Sequence, residues 1–170
     1  MSIIMKKILS IALVLVVTMA YAKTEKRYYP DGTIKSATSY KYGKKNGIEH
    51  TYYPDGAILQ FAKPYVNDKL HGIVQAYTSS AILKYEMPYR HGVLDGRCRY
   101  YTENSLLKAE VDYKNGLKDG RMRIFFPTGM LKIETLWKRG KLIEGSIYDE
   151  SSNGRPFTKS EMQIFREANE

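Results

Sequence analysis

The chain has 170 residues, and its 27 basic and 18 acidic side chains give it a formal charge of +9 at neutral pH. This basic balance favours anionic partners such as lipid head groups, phosphate-bearing polymers or acidic proteins. The single cysteine, Cys98, excludes an intramolecular disulfide and a thiolate metal cluster within one chain.

Residues 1–22 have the pattern of a secretory signal peptide. Two lysines and no acid precede an apolar run at 8–19, and Ala20, Tyr21 and Ala22 form a small-x-small cleavage pattern. The run is shorter than the roughly 20 residues that a membrane span requires. We therefore expect cleavage after Ala22, rather than an uncleaved membrane anchor, and a mature chain without a transmembrane span.

Export would determine which potential partners the protein encounters. We expect a periplasmic or secreted protein, and loss of Lys6 and Lys7 with the leader would lower its formal charge from +9 to +7. A basic exported chain encounters acidic proteins and anionic lipid or cell-wall polymer, whereas nucleic acid is a disfavoured partner.

A period of 24 residues organises residues 23–148. Aromatic side chains and glycines both recur at this interval, which indicates stacked units of one supersecondary type, and we expect five of them. The recurring residues are Tyr29, Tyr53, Tyr77, Tyr101 and Phe125; Tyr65, Tyr89, Tyr113 and Trp137; and Gly92, Gly116 and Gly140. A further glycine series drifts by one residue at two places: Gly47, Gly72, Gly96, Gly120 and Gly145.

Each unit contains two segments in which apolar and polar residues alternate. Residues 107–113 and 120–125 show this period of two, which is typical of a strand with one buried face. Turn residues separate the segments, with Pro-Asp-Gly at 30–32 and Asn-Gly at 115–116. The sequence therefore predicts one β-hairpin for each repeat.

The hairpins predict an all-β fold, a tandem array of about ten antiparallel strands in meander order. One unit buries too few apolar side chains to offset the ordering of its 24 residues, so neighbouring units must stack. Pro64 and Pro88 each remove a ladder donor inside a strand segment, and we expect bulges or strand ends there.

The period stops after residue 148. Residues 149–157 have the composition of a linker, and residues 158–170 have that of a short helix, with Thr158 and Glu161 placed as a capping box. The apolar residues of this segment, Met162, Phe165 and Ala168, recur at helical spacing. We expect this helix to cover the open end of the sheet, and a partner-binding helix is the alternative.

A Tyr-Tyr-Pro-Asp-Gly motif at 52–56 and a Tyr-x-x-Gly-x-x-x-Gly motif at 113–120 recur in variant forms along the repeats. These motifs resemble the MORN repeat in its bacterial variant form, and proteins of this kind are often grouped with the YwqK-type antitoxin components. The resemblance implies β-hairpin repeats, a protein-binding role and no cofactor. An antitoxin that acts inside its own cell would not carry an export signal, whereas an immunity protein that acts in the envelope would.

Arginines of two adjacent units form the candidate partner-binding site. They alternate with apolar residues and so should project from one face of the sheet, where we expect no interleaved acid. Guanidinium groups bind carboxylates and phosphates in bidentate geometry, so such a patch favours an anionic or acidic partner. The alternative is a solvated face that acids reach from the first strand of each unit. The patch comprises Arg97, Arg99, Arg121 and Arg123.

A file of aromatic residues is the second candidate site. Aromatic rings at equivalent repeat positions stack on one another and hold an array together, which favours a structural role. A single-layer sheet cannot cover a whole apolar face, however, so a binding trough is the alternative. The file comprises Tyr65, Tyr89, Tyr113 and Trp137.

No arrangement typical of catalysis or metal binding is recognisable in the sequence, since His50, His71 and His91 occupy unrelated repeat positions. We therefore predict a non-catalytic exported protein, without cofactor or metal, that binds a macromolecule. We favour a protein partner with an acidic surface, in a scaffold or an immunity (antitoxin-like) role. The alternatives are a peripheral binder of anionic lipid or cell-wall polymer through the basic face, and an enzyme with an unrecognised site.

Overall fold

Alternating strands and tight turns fold residues 22–169, which the computed structural model describes, into one antiparallel sheet. Strands that follow one another in sequence are neighbours in the sheet, and one short helix follows the last strand. The predicted all-β hairpin array in meander order, with its C-terminal helix, is therefore confirmed. The predicted signal peptide, at 1–22, lies outside the described residues except for Ala22.

The sheet has fourteen strands instead of about ten. Two strands exceed the predicted pairs: β1 precedes the first of them within the repeat region, and β14 lies in the segment 149–157 that was predicted to be a linker. Bulges divide two other strands into the pairs β5/β6 and β8/β9. The elements are β1 (Lys23–Tyr28), β2 (Ile34–Lys41), β3 (Lys44–Tyr52), β4 (Leu59–Val66), β5 (Lys69–Leu70), β6 (Gly72–Tyr77), β7 (Leu83–Arg90), β8 (Val93–Leu94), β9 (Gly96–Tyr101), β10 (Leu107–Lys114), β11 (Leu117–Phe125), β12 (Leu131–Lys138), β13 (Lys141–Tyr148), β14 (Gly154–Pro156) and α1 (Lys159–Glu167).

Two-residue turns connect strands at one edge of the sheet. Both central residues have positive φ, as at Asn115 (51°) and Gly116 (82°), which is the type I′ geometry that matches the twist of the flanking strands. The Asn-Gly turn expected at 115–116 is therefore present. The amide of Gly116 also donates to the carbonyl oxygen of Leu94, 2.8 Å away in the preceding unit. Such bonds link successive turns into a continuous edge.

Three-residue turns with a different geometry connect strands at the opposite edge. In the first, the amide of Tyr29 donates to the carbonyl oxygen of Thr33 at 2.8 Å, and Gly32 has a φ of +87°. Later turns without Pro-Asp-Gly keep this shape through a hydroxyl, because Thr78 Oγ1 accepts from the amide of Ile82 at 3.1 Å. The turns begin at Tyr29, Tyr53, Thr78, Thr102, Phe126 and Asp149.

One extra turn residue shifts the repeat register. The amide of Tyr53 donates to the carbonyl oxygen of Ile58, five positions on, whereas the corresponding partners elsewhere are four apart, so Ala57 is an insertion. Tyr53 consequently begins its turn, whereas Tyr77 lies one residue before Thr78, which begins the next turn. The 24-residue aromatic series from Tyr29 to Phe125 therefore combines two structural positions. The expectation that these five residues are equivalent is wrong.

The expected bulges lie opposite both prolines, although strands β4 and β7 continue through Pro64 and Pro88. Gly72 faces Pro64 with a φ of +120°, and a Cβ atom on Gly72 would come within 2.9 Å of the proline Cγ. Glycine is thus required for the chain to pass this close.

The sheet has one apolar face, which we call the core face, and a second face rich in ion pairs. The buried apolar side chains are Val74, Ala76, Cys98, Val111, Trp137 and Leu142. Helix α1 begins with the predicted Thr158–Glu161 capping box and lies against β13. It covers part of the core face beside the last strands, where Lys118 Nζ donates to the Asn169 carbonyl oxygen at 2.9 Å.

Candidate functional site

The four predicted arginines share one face of the sheet, as the alternation indicates, but acids separate them. Across adjacent strands Arg99 faces Glu110, which faces Arg123 on its other side. Arg123 in turn faces Glu134. The expectation that no acid is interleaved with Arg97, Arg99, Arg121 and Arg123 is therefore wrong, and the alternative, acids from the first strand of each unit, is observed.

Glu110 accepts hydrogen bonds from two of these arginines. Arg123 Nη1 lies 2.8 Å from Glu110 Oε1, and Arg97 Nη1 lies 3.4 Å from the same oxygen. Arg97 also donates to both carboxylate oxygens of Asp112, at 2.7 and 3.1 Å. The side chain of Glu110 is thereby held between strands by two cations.

The remaining arginines differ in how firmly they are held. Glu134 accepts from Arg121 Nη1 at 2.6 Å and from Arg123 Nε at 2.8 Å. Arg99 has only a 3.8 Å approach to Glu86, which is too long for a hydrogen bond. Of the four predicted residues, Arg99 is the one most available to a partner.

This network is close to electroneutral and partly buried. Burial alone would raise the pKa of Asp112, but hydrogen bonds from Arg97 and the Arg121 amide hold that pKa below its ordinary value. Hydrogen bonds from Arg123 and Arg121 likewise outweigh burial and lower the pKa of Glu134. Both acids are therefore ionised at neutral pH. The arginines bind carboxylates on neighbouring strands and so link those strands to one another. A partner-binding role for this patch stays a prediction.

The aromatic file lies in one row of the core face. Each ring faces a glycine on the neighbouring strand, so the aromatic side chain covers backbone that carries no side chain of its own. Trp137 is 2 % exposed and its Nε1 donates to Thr135 Oγ1 at 2.8 Å. These contacts favour a structural role, and a binding role stays a prediction. The pairs are Tyr65 with Gly47, Tyr89 with Gly72, Tyr113 with Gly96, and Trp137 with Gly120.

Cys98 lies among these aromatic residues and is fully buried. Burial raises the pKa of its thiol to about 11, so the group is a protonated, apolar filler at neutral pH. Burial also raises the pKa of Tyr100 to about 12. Cys98 and Tyr100 fill space on the core face, and both stay protonated near neutral pH.

The edge formed by the type I′ turns carries a dense series of exposed, unpaired cations, and we call it the basic turn edge. It comprises residues 41–44, 66–69, 90–93, 114–117 and 138–141. Its acid is Asp68, whose Oδ1 accepts from the Lys45 amide at 2.8 Å. Within residues 22–169, none of its cations forms a salt bridge: Lys41, Lys44, Lys69, Arg90, Lys114, Lys138, Arg139 and Lys141.

Apolar side chains lie among these cations. Tyr42 is 66 % exposed and Leu117 is 50 % exposed, and both are on the basic turn edge. The opposite edge differs in charge, because the loops of its three-residue turns contain acids and no basic residue. These acids are Asp31, Asp55, Glu103 and Glu150. The loops of the two turn edges thus differ in charge, although an exposed lysine row follows the three-residue turns at Lys35, Lys84, Lys108 and Lys132.

Sequence reasoning missed the basic turn edge, although a signal was present. The cations lie within the turns or directly beside them, as in Lys41-Tyr42-Gly43-Lys44 and Lys138-Arg139-Gly140-Lys141. Examining each repeat position in turn, instead of each strand, would have found them.

Other site types find no counterpart in the part of the chain that the structure describes. Among residues 22–169, no group of three His, Cys, Asp or Glu side chains is placed to hold a metal ion. No helix within that range has the length and apolar character needed to cross a membrane.

Comparison with known families finds the MORN repeat variant at two places, residues 23–42 and 118–139. Each match covers a hairpin and ends on the first residue of a type I′ turn, Tyr42 or Arg139. The hairpins between them have the same turn geometry. No curated protein matches the chain. The protein thus carries MORN repeat variants in its β1–β2 and β11–β12 hairpins, and repeats of this type are generally modules that bind proteins or membranes.

Proposed function

We propose that this protein is a non-catalytic, exported binding protein whose basic turn edge docks on the acidic surface of a partner protein. The observation that carries the proposal is the edge itself, where exposed cations without acidic partners alternate with exposed apolar side chains. Charged groups that steer a partner and apolar anchors that bury area are the two components of a protein interface.

The shape of the sheet supports a protein partner over a flat surface. Neighbouring strands in a twisted sheet rotate by about 20–25°, so turns two strands apart point roughly 45° away from each other. A flat bilayer could touch only two or three adjacent turns at once. A protein surface or a flexible polymer could follow the edge over more of its length.

Export is part of the proposal and is supported by the leader pattern at 1–22. Strand β1 begins at Lys23, the residue that would follow the cleavage site, so cleavage would leave the described sheet intact. In the envelope the protein would act as a scaffold or as an immunity component, the antitoxin-like role that remains compatible with export.

The test is affinity capture from the envelope fraction with wild-type protein and two charge-matched triple variants. We expect one stoichiometric partner that survives high salt. Loss of three exposed charge contacts, each worth ~0.2–1 kcal/mol, should weaken its binding between roughly threefold and a hundredfold. The edge variant is K114Q/K138Q/R139Q, and the control, from an exposed lysine row away from this edge, is K84Q/K108Q/K132Q.

The outcome also decides whether the arginine patch takes part. Equal weakening by both triple variants, or none by the edge variant, would contradict docking at the basic turn edge. A third variant carries Arg99→Ala together with Arg123→Ala. If only this double variant weakened binding, with its fold unchanged, the partner would bind the face that carries the arginine patch instead.

Peripheral binding to anionic lipid or cell-wall polymer is the second candidate. Tyr42 at a turn tip, with Lys41 Nζ 5.4 Å from its ring centroid, combines an aromatic anchor with a cation. Vesicles with and without anionic lipid provide the test. Binding that requires anionic lipid and disappears at high salt, without a protein partner, would favour this candidate.

A further inference from the structure

A cavity of about 330 Å³ opens at the N-terminal end of the sheet, away from the basic turn edge. It crosses strands β1 to β4 on the core face. Its floor follows a row of facing residues, because Arg27 pairs with Ser36, Ser36 with Thr51, and Thr51 with Phe61. Lys35, Gln60 and Lys63 also line it. We call this cavity the polar trough.

The polar trough replaces what is hydrophobic core elsewhere in the array. Thr51 occupies the repeat position of Ala76, which is 1 % exposed, and Lys63 occupies that of Met87. Polar groups at such positions cost free energy unless they are hydrogen-bonded, so packing gives no reason for them. The same backbone two strands further on accepts apolar residues at both positions.

Positive charge dominates the polar trough. Within the described residues 22–169, Arg27, Lys35 and Lys63 form no salt bridge. Aromatic rings position the two ammonium groups, with Lys63 Nζ 4.6 Å from the Phe61 ring centroid and Lys35 Nζ 5.5 Å from that of Tyr29.

The one acid of the trough wall is already occupied. Glu49 Oε1 accepts from Lys45 Nζ at 2.8 Å, and its Oε2 accepts from the Tyr65 hydroxyl at 3.2 Å. Although burial would raise it, these bonds hold the pKa of Glu49 below its ordinary value. Glu49 therefore stays engaged with its own partners and leaves the trough cations unneutralised.

A buried hydroxyl adds a polar group without a partner. Thr51 Oγ1 is the buried side-chain oxygen or nitrogen that lacks a hydrogen-bond partner within residues 22–169. A buried, unpaired hydroxyl is costly, and ligand sites are a common reason for one. Guanidinium, ammonium and hydroxyl donors around one cavity form the donor set that proteins use for phosphate oxygens.

From these observations we infer that the polar trough binds a small polar molecule through a phosphate monoester group, with Arg27, Lys35, Lys63 and Thr51 as its donors. The trough has room for the anion and a small organic body, which Gln60 and the Phe61 ring would contact. This site is independent of the basic turn edge, and neither proposal requires the other.

The test is calorimetric titration of the purified protein with glycerol 1-phosphate at fixed ionic strength, with glycerol and acetate as comparison ligands. We expect saturable one-to-one binding of the phosphate ester and none of glycerol. Acetate that binds as tightly as the phosphate ester would overturn the assignment to phosphate. Absence of saturable phosphate binding would overturn the site.

Repeat-equivalent residues supply variants that the fold accommodates. Lys63→Met and Thr51→Ala introduce the residues present at 87 and 76, and each should weaken phosphate binding about tenfold, since one hydrogen bond to a charged group is lost. Without ligand, Thr51→Ala should leave the melting temperature unchanged or raise it. Unchanged phosphate affinity in both variants would contradict the inference.

A matched lysine pair separates specific binding from general attraction. Lys35 and Lys108 occupy equivalent exposed positions next to their turns, but only Lys35 lines the polar trough. Lys35→Ala should weaken glycerol 1-phosphate binding, and Lys108→Ala should not. Equal weakening by the two substitutions would show diffuse electrostatic attraction and would sink the site.

Discussion

Glu110 is the residue on which the arginine face converges. The residue is 8 % exposed, and its side chain lies between Arg97 and Arg123, which approach the same carboxylate oxygen from opposite strands. Two guanidinium groups at this spacing repel each other unless an anion separates them. The carboxylate charge of Glu110 is therefore a structural requirement of neighbouring repeats.

We predict that Glu110→Gln lowers the free energy of unfolding by about 1–3 kcal/mol, because it removes the charge from two hydrogen bonds at a nearly buried site. Urea denaturation measures the change. The control is Glu103→Gln, in an exposed turn, which should change stability by less than about 0.5 kcal/mol. An equal effect of both substitutions would contradict the role given to Glu110.

At this scale the sequence predicts which face a side chain occupies and fails to predict what faces it. Alternation correctly places Arg97, Arg99, Arg121 and Arg123 together, since strand geometry is local. That Glu110 lies opposite Arg99 depends on the register between β9 and β10, which bulges set. The acids were visible in the sequence, but their placement between the arginines was not.

Among the elements, helix α1 has the most clearly defined start. Glu161 accepts from Nη2 and Nη1 of Arg155, at 2.8 and 2.9 Å, and from the Thr158 amide at 2.8 Å. These hydrogen bonds lower the pKa of Glu161 from 4.5 to about 2, and the largest contribution comes from Arg155. The ionised carboxylate also interacts favourably with the N-terminus of the helix.

We predict that the cap loosens in acid. A carboxylate with a lowered folded-state pKa stabilises the fold fully above its ordinary value of 4.5, and this contribution is lost as the pH falls towards 2. The amide shift and hydrogen exchange of Thr158 should report the loss over that range. Glu161→Gln, which keeps a side-chain acceptor, should remove this pH dependence, and its persistence in that variant would contradict the cap as the cause.

The sequence predicts elements well where the signal is local. Thr158 and Glu161 mark the helix start, and Asn115 with Gly116 marks a type I′ turn, because capping and positive φ depend on a few adjacent residues. The Ala57 insertion was missed, and the bulges expected at Pro64 and Pro88 divide the strands opposite these prolines instead of their own strands. Each depends on how one strand passes its neighbour, which no short segment specifies.

The whole array is a single layer, so its units depend on one another. The core face changes character along its length, because it is polar at Thr51 and Lys63 and mainly apolar from Val74 onwards. Turn-to-turn hydrogen bonds, such as that from Gly92 to Leu70 at 2.8 Å, couple each unit to the one before. Among residues 22–169, no unit has a separate core that would let it fold alone.

Cooperative unfolding of the array follows from this coupling. The sole tryptophan, Trp137, is 2 % exposed in β12, and four strands separate it from Gly72 in β6. Gly72→Ala would place a methyl group against Pro64 at a φ of +120°, which should cost about 1–3 kcal/mol. The fluorescence of Trp137 and the far-ultraviolet circular dichroism of the sheet should then shift to the same lower urea midpoint. Gly43→Ala, whose added Cβ meets no atom within 4 Å, is the control and should shift both midpoints less. A fluorescence midpoint that stays at its wild-type value while the dichroism transition moves or broadens would show that the C-terminal units unfold independently of the rest.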